Sequence, residues 1–321
     1  MKSLSQLTNF YYQVLFKPLE VLEKNRKQLR HRILVVGVLF TLFTLALYSF
    51  VFSLTHGESN IMMFFAFGYF ALGGIIYKIL IKDYTKEFKE KIILPLITEL
   101  DSHLNYVPEQ HISQRHFQNS KLFNSRIDRF AGNDFVHGKI DDVHIEFSDI
   151  HVEKKTKSSK NQDSWTTIFQ GLFIVADFHK HFKGSTVILP DTAQSTFGDL
   201  IGGWLQSNNA SREELVKMDN PEFEKVFVVY SNDQIEARYI LSHSLMEKLL
   251  VFKKRSKHNI YISFIGASIH MAIEYNKDLF EPSIFHSLLD YKIAMEYVQS
   301  LHLCIGIVEE LQLNQKLWSK Q

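Results

Sequence analysis

The residues best suited to chemistry stand in "GLFIVADFHKHFKGSTVILPD", residues 171–191, where His179 and His181 flank Lys180. On a strand, side chains two apart face the same way. With a third donor such as His144 or Asp177, the two imidazoles would make a zinc-type site. No CxxC, HExxH or EF-hand pattern accompanies them. The chain holds 15 histidines, so close pairs arise readily by chance. The favoured reading is a polar turn between two strands, with Gly184 at a position needing positive φ. A metal-dependent membrane enzyme with a site near His179 and His181 is the alternative.

Other candidates reduce to structural roles. His137, His144 and His151 recur every seven residues, but a hairpin distributes them over different strands. Asp141 and Asp142 fit a turn better than a cation site, because consecutive strand carboxylates point to opposite faces. Cys304, within "LHLCIGIV", fits a small core residue, and His302 would not share its face of a helix. There is no GxSxG elbow, phosphate-binding glycine loop or kinase motif set. No catalytic, cofactor-binding or metal-binding residue is assigned, and a non-enzymatic role is favoured.

The elements that position these residues begin with two apolar runs. Residues 33–54 read "ILVVGVLFTLFTLALYSFVFSL" without a charge. At about 1.5 Å per residue such a helix reaches about 33 Å, enough for a hydrocarbon core of roughly 30 Å. The polar turn "THGESN" leads to a second run, residues 61–81, whose only charge is Lys78 near its far end. Lipid leaves backbone groups no partner but the chain itself, so both runs are predicted to be helices. Lysines and arginines border the pair on its outer sides: Lys17, Lys24, Arg26, Lys27, Arg30 and Arg32 before, Lys82, Lys86, Lys89 and Lys91 after. The turn between the spans carries none. The positive-inside rule then places both termini in the cytoplasm of a bacterial inner-membrane, multi-pass protein.

An amphipathic helix with a kink at Pro18 is expected over 1–32, and a juxtamembrane helix interrupted by Pro95 over 82–110. Packing of the two as a stalk is favoured over an arm on the bilayer surface. Residues 111–321 are read as one cytoplasmic domain. The fold class is α+β: a transmembrane helical hairpin with a stalk, then a mostly antiparallel sheet and a C-terminal helix over about 283–318. Strands are expected around a turn at 141–142, with a bulge or tight turn at Ser148–Asp149 where the apolar phase flips. A solvated loop is expected over 153–164. "WTTIFQGLFIVADF" should be a central strand, with "STVIL" as its partner. "EKVFVVYS" and "IEARYIL" read as strands. A helix capped by Ser244 and Glu247 follows, ending at the basic run "KKRSKH". A last hairpin turns at Gly266–Ala267. The segment "TFGDLIGGWLQ", with Trp204, reads as a cover on the sheet or a contact for membrane or partner.

The segments "FQGLFIVADFHKHFKGSTVILPD" and "NPEFEKVFVVYSNDQIEARYILSHSLMEKLL" resemble an uncharacterised family of bacterial two-span membrane proteins, catalogued as domain of unknown function 3137. The resemblance rests most on Phe169, Gly171, Phe173, Phe178, Phe182, Gly184, Pro190, Phe223, Phe227 and the "EARY" of Glu236 to Tyr239. It implies the same order of elements and no activity. Glycine and phenylalanine at such positions suit folding or docking.

Formal net charge is +1, which offers no electrostatic footprint for nucleic acid. One cysteine permits no internal disulfide. The function expected is a membrane-anchored protein whose cytoplasmic domain binds a protein partner or lipid headgroups, or else a subunit of a transport assembly. The lipid bilayer is the one partner named. The oligomeric state is not set by the sequence.

Overall fold

Apolar residues at helical spacing open the chain, and residues alternating at a period of two follow. The computed structural model describes residues 4–54, 60–123, 125–140, 143–157, 163–177, 181–191, 214–256, 258–275 and 278–290. Two units result. Residues 4–96 with 280–290 form a helical unit, and Ile97–Leu279 carry the sheet.

In the helical unit, α1 (Leu4–Phe10), a π turn (Tyr11–Leu15) and α2 (Phe16–Leu54) follow without a break. Then α3 (Asn60–Phe88) leads through a second π turn (Lys89–Ile93) to α4 (Leu94–Leu100). Pro18 and Pro95 therefore do not break their helices. Each ring presses on the carbonyl four residues back, Val14 and Lys91, and a widened turn there relieves the clash. The Phe16 N–H donates to Tyr11 O, and the Leu94 N–H to Lys89 O. The two stalk stripes are buried: Tyr11, Leu15, Leu19 and Leu22 on one helix, Tyr84, Phe88, Ile92 and Ile93 on the other. Asn25 Nδ2 donates to Glu87 Oε2 at 3.1 Å between them.

The apolar runs behave oppositely. Both helices are long and apolar enough to cross a membrane, and none of either apolar window is buried within the chain. A hairpin serving as the core of a soluble fold would bury these residues.

The sheet unit has nine strands: β1 (Leu104–Val107), β2 (Arg129–Ile140), β3 (Val143–Lys157), β4 (Asp163–Asp177), β5 (Ser185–Pro190), β6 (Glu214–Val216), β7 (Phe227–Ser231), β8 (Ile260–Ile265) and β9 (Ser268–Glu274). Short helices stand between them: α5 (Gln114–Asn119), α6 (Pro221–Glu224), α7 (Gln234–Ile240) and α8 (His243–Ser256). The strand order is β1-β2-β3-β4-β9-β8-β5-β7-β6, and each pairing is antiparallel. β4 is central, as its two apolar faces require. On one face Ile150, Val152, Phe169, Phe173, Val187, Tyr261 and Ala272 pack with Phe117 and Phe123. The Phe117 and Phe123 rings stack at 5.2 Å, and Phe123 lies 5.1 Å from Phe169. The alternating set, including Phe147, Leu172, Ile174, Ile262 and Ile273, is buried as well.

Several expectations are corrected. β5 pairs with β7 and β8, not with β4, because the β8–β9 hairpin inserts between them. The phase flip in β3 is not a bulge in β3. Both faces of that strand are covered at its middle, and the extra residue sits on β2, between Asn133 and Val136. There Asp134 takes φ 59. Residues 153–157 and 163–164 are strand rather than loop, since ladder bonds and cross-strand pairs sustain a ribbon without an apolar face. "IEARYIL" is α7, because Asp233 caps it and Ala237, Ile240 and Leu241 bury at helical spacing. The cap of α8 is Ser242, whose Oγ accepts from Leu245 N at 3.3 Å. Glu247 instead accepts from Asn220 Nδ2 at 3.0 Å. The β8–β9 turn falls at Gly266–Ala267 as read. Of the expected C-terminal helix, 283–290 form turns and bends, and the rest lies outside the described residues.

Candidate interaction surfaces

The histidine question resolves into a built loop. His179 lies outside the described residues, and His181 is exposed on the approach to β5. Phe182, three residues before β5 begins at Ser185, is buried against Phe264 at 5.6 Å. Its N–H donates to Gly266 O at 2.6 Å, which ties the crossing chain to the hairpin it passes. The Lys183 and Gly184 N–H groups donate to the Glu236 carboxylate at 3.0 and 2.8 Å. Ser185 N–H donates to Asn232 Oδ1 at 2.8 Å. Asp233 Oδ1 accepts from Ile235 N and Glu236 N, at 3.0 and 2.9 Å, which fixes α7 for this task. Gly184 does not take the positive φ expected of it; a Cβ there would instead lie 2.4 Å from Asn232 Oδ1 and push aside the side chain that accepts from Ser185 N–H.

The same reading explains the other positions that carry the resemblance. Phe169 and Phe173 lie in the aromatic cluster. A Cβ at Gly171 would meet Ile273 O of the neighbouring strand. Phe223 packs on Phe227 at 5.0 Å, and Phe227 pairs with Pro190 in the ladder. Phe178 lies outside the described residues. Within "EARY", Glu236 holds the loop and Ala237 is buried, while Arg238 and Tyr239 are exposed. Ile235, one turn before Tyr239, is 84% exposed, and Leu215 on edge strand β6 is 51% exposed. Gln234 Nε2 donates to Glu214 Oε2 at 2.8 Å and joins the two elements. An exposed apolar face on a rigidly held helix beside a sheet edge is suited to docking.

Among the described residues no group of three His, Cys, Asp or Glu side chains is placed to hold a metal. His137 stacks on Phe135 at 5.1 Å, His144 is exposed, and His151 lies 3.4 Å from Thr167 Oγ1. Asp141, Asp142, Trp204 with its segment, His302 and Cys304 lie outside the described residues. In the basic run, Lys253 Nζ donates to His258 O at 2.6 Å and to Asn259 Oδ1 at 3.2 Å, so it closes the turn after α8. Burial lowers its pKa, against the pull of Glu274.

Two buried polar sets were not foreseen. In the helical unit, Glu23 and Arg26 form a two-bond pair at 2.8 and 2.7 Å. Arg26 Nη1 also donates to Ile284 O at 2.6 Å, and Glu23 Oε2 accepts from Leu288 N at 3.0 Å. Lys89 pairs with Glu281 at 2.7 Å. The stalk helix thus holds the 280–290 segment by its backbone. The Arg26 hydrogen bond holds the Glu23 pKa below the usual carboxylate value despite burial. The sequence signal was an i,i+3 Glu–Arg pair within a basic flank, which counted there only as charge.

In the sheet, Ser263 Oγ donates to Ser120 O at 2.7 Å and lies 3.4 Å from His270 Nδ1. Burial, with the nearby His116, lowers the His270 pKa to about 4. His270 is therefore neutral at pH 7, and with both side chains buried the pair is structural.

Between the two apolar helices, Phe40 stacks on Tyr69 at 5.2 Å. Thr41 Oγ1 donates to Gly37 O at 2.8 Å and accepts from Tyr69 OH at 2.9 Å, so no hydroxyl of this pair faces lipid unsatisfied. A groove of about 280 Å³ opens beside them, lined by Gly37, Phe40, Tyr69, Gly73 and Gly74 among others.

The family described as "Protein of unknown function (DUF3137)" matches residues 167–313. No curated protein matches. Among solved structures, the mycobacterial trehalose monomycolate transport factor A, TtfA, aligns at a TM-score of 0.34 with 9% identity, over 66% of this chain and 92% of that one.

Proposed function

We propose that the protein, which carries the DUF3137 domain over residues 167–313, is a non-enzymatic docking protein anchored in a bacterial inner membrane. The hairpin of 33–54 and 61–81 crosses the bilayer, and both termini lie in the cytoplasm. Residues 1–32 and 82–110 form the stalk, and 111–321 form the domain that meets a protein partner or lipid headgroups. The carrying observation is the pair of long apolar helices whose apolar windows contain no buried residue. Cationic flanks support the orientation. Ile235, Tyr239 and Leu215 support docking, since tethering raises the local concentration for a weak second contact.

Two measurements test this reading. A reporter fused to the carboxyl end should be active only when it is of a cytoplasmic type, and carbonate washing should leave the chain in the membrane pellet. A photo-crosslinker at Ile235 should capture a reproducible protein from native membranes, and an Arg238→Glu, Tyr239→Ala variant should lose it. Periplasmic reporter activity would end the orientation. Release by carbonate would end the anchor.

A further inference from the structure

Two hollows meet on the apolar hairpin. The first is the groove of about 280 Å³ between α2 and α3, which runs from Phe40 and Tyr69 to Ile33 and Leu80. Glycines keep it open: a Cβ at Gly37 or Gly74 would meet nothing within 4 Å. Empty space between apolar walls forfeits dispersion contacts, so the groove favours an occupant. At Val36 it meets the second hollow, of about 550 Å³, lined by Asn25, Gln28, His31, Arg32 and Val35. The apolar run begins at Ile33, so residues 28–32 stand at headgroup depth, over about 6 Å of helix. The side chains of Lys24, Gln28, His31 and Arg32 make no hydrogen bond or ion pair among the described residues. Lys24 lies on the same stripe as Gln28 and His31, one turn earlier. From Lys24 to Leu54 the helix carries no carboxylate. Across on α3, Glu87 is engaged by Asn25 and Lys91.

We infer that the two hollows together hold one anionic phospholipid, with its phosphate at Arg32 and Gln28 and an acyl chain in the groove beside Gly37 and Gly74. The inference rests on the membrane-anchored reading and gives that anchor a lipid site. The arrangement of the walls selects an amphiphile: a polar hollow at headgroup depth passes at Val36 into an apolar one. Charge selects the headgroup. Lys24 and Arg32 are unpaired, and their helix offers no acid to repel a phosphate. A second copy of the hairpin could also pack on a glycine-lined groove. It would bring its own Lys24, Arg30 and Arg32 to the same depth, because identical hairpins cross at identical levels, and like charges would face each other.

The test uses the full chain in phosphatidylcholine vesicles doped with spin-labelled lipid, whose immobilised fraction reports lipid held against the protein. Spin-labelled phosphatidylglycerol should be held about fivefold more strongly than spin-labelled phosphatidylcholine, the factor that matches roughly 1 kcal/mol per cation at a charged headgroup. Lys24→Gln with Arg32→Gln should remove most of that preference, whereas Lys24→Arg with Arg32→Lys should keep it. Gly37→Leu with Gly74→Leu fills the groove, and should lower the immobilised fraction of both lipids while far-UV circular dichroism stays unchanged. Equal retention of the two lipids by the unaltered chain overturns the inference and leaves the anchor standing. So does a preference that survives the glutamine pair, or an immobilised fraction that the leucine pair does not change. Disulfide-linked dimers on oxidation of a Gly74→Cys, Cys304→Ser chain in vesicles overturn it in favour of a second copy. A chain that stays outside the vesicles sinks the anchored reading, and this inference with it.

Discussion

The two units use one residue type in opposite ways. In α3, Phe64, Phe67 and Phe70 are 70 to 76% exposed, whereas Phe117, Phe169 and Phe173 of the sheet unit are at most 2% exposed. The chemistry is identical, and the difference lies in the solvent each region expects. The helices leave their rings outward because lipid accepts apolar surface, and they close every backbone bond internally. The sheet must exclude water, so its rings pack on each other and on the strands. Apolar content alone therefore says little about where a core lies.

Substitutions can break this contrast, beginning with the largest effect. Phe173→Ala should destabilise the sheet unit by about 3–5 kcal/mol, read by chemical denaturation in detergent. The stalk clamp should come next. Arg26→Met strands a buried carboxylate and should cost about 3 kcal/mol or more, seen as faster proteolysis within 280–290, while Glu23→Leu with Arg26→Met should recover only part of it, because Ile284 O and Leu288 N–H still lose their side-chain partners. The sign of the acid response also follows. Glu23 has a lowered pKa, so its contribution is present at neutral pH and fades as pH falls through its folded value.

His270 sharpens the contrast at intermediate size. Its pKa falls from 6.5 to about 4 on folding, so the unfolded chain takes up a proton first as pH drops. Stability should decline by about 3 kcal/mol between about pH 6.5 and 4, then level off for this group. His270→Gln should flatten that decline in a pH series of denaturation midpoints. Glu236→Gln weakens two bonds to backbone N–H groups and should cost about 1–2 kcal/mol, visible as faster amide exchange at Lys183 and Gly184. The smallest effect should be Phe67→Ala, below about 1 kcal/mol in detergent denaturation, because no cavity forms at an outward-facing ring.

Much of the fold was legible because it is written locally. The spans, the central strand β4 and the Gly266–Ala267 hairpin each follow from periodicity, length or turn chemistry within one segment. The errors share a cause. "IEARYIL" alternates well enough for a strand, yet Asp233 as cap and burial of Ala237 and Ile240 make it α7. The ribbon lacks an apolar face, yet cross-strand pairs such as Lys155–Asp163 hold it. The loop at Gly184 was visible as a glycine, but Glu236 and Asn232, which hold it, stand some fifty residues on. Only the tertiary structure shows that this loop crosses the β8–β9 hairpin.

By itself the sequence determined which two segments are long and apolar enough to cross a bilayer, because length and apolar content are properties of each run alone. It also determined which segments alternate at a period of two, because that period is a property of the backbone. The tertiary structure decided which strands are neighbours, which carboxylates serve backbone groups, and that Trp165 is exposed. Those outcomes depend on contacts between residues far apart in the chain, whose energies no single segment contains.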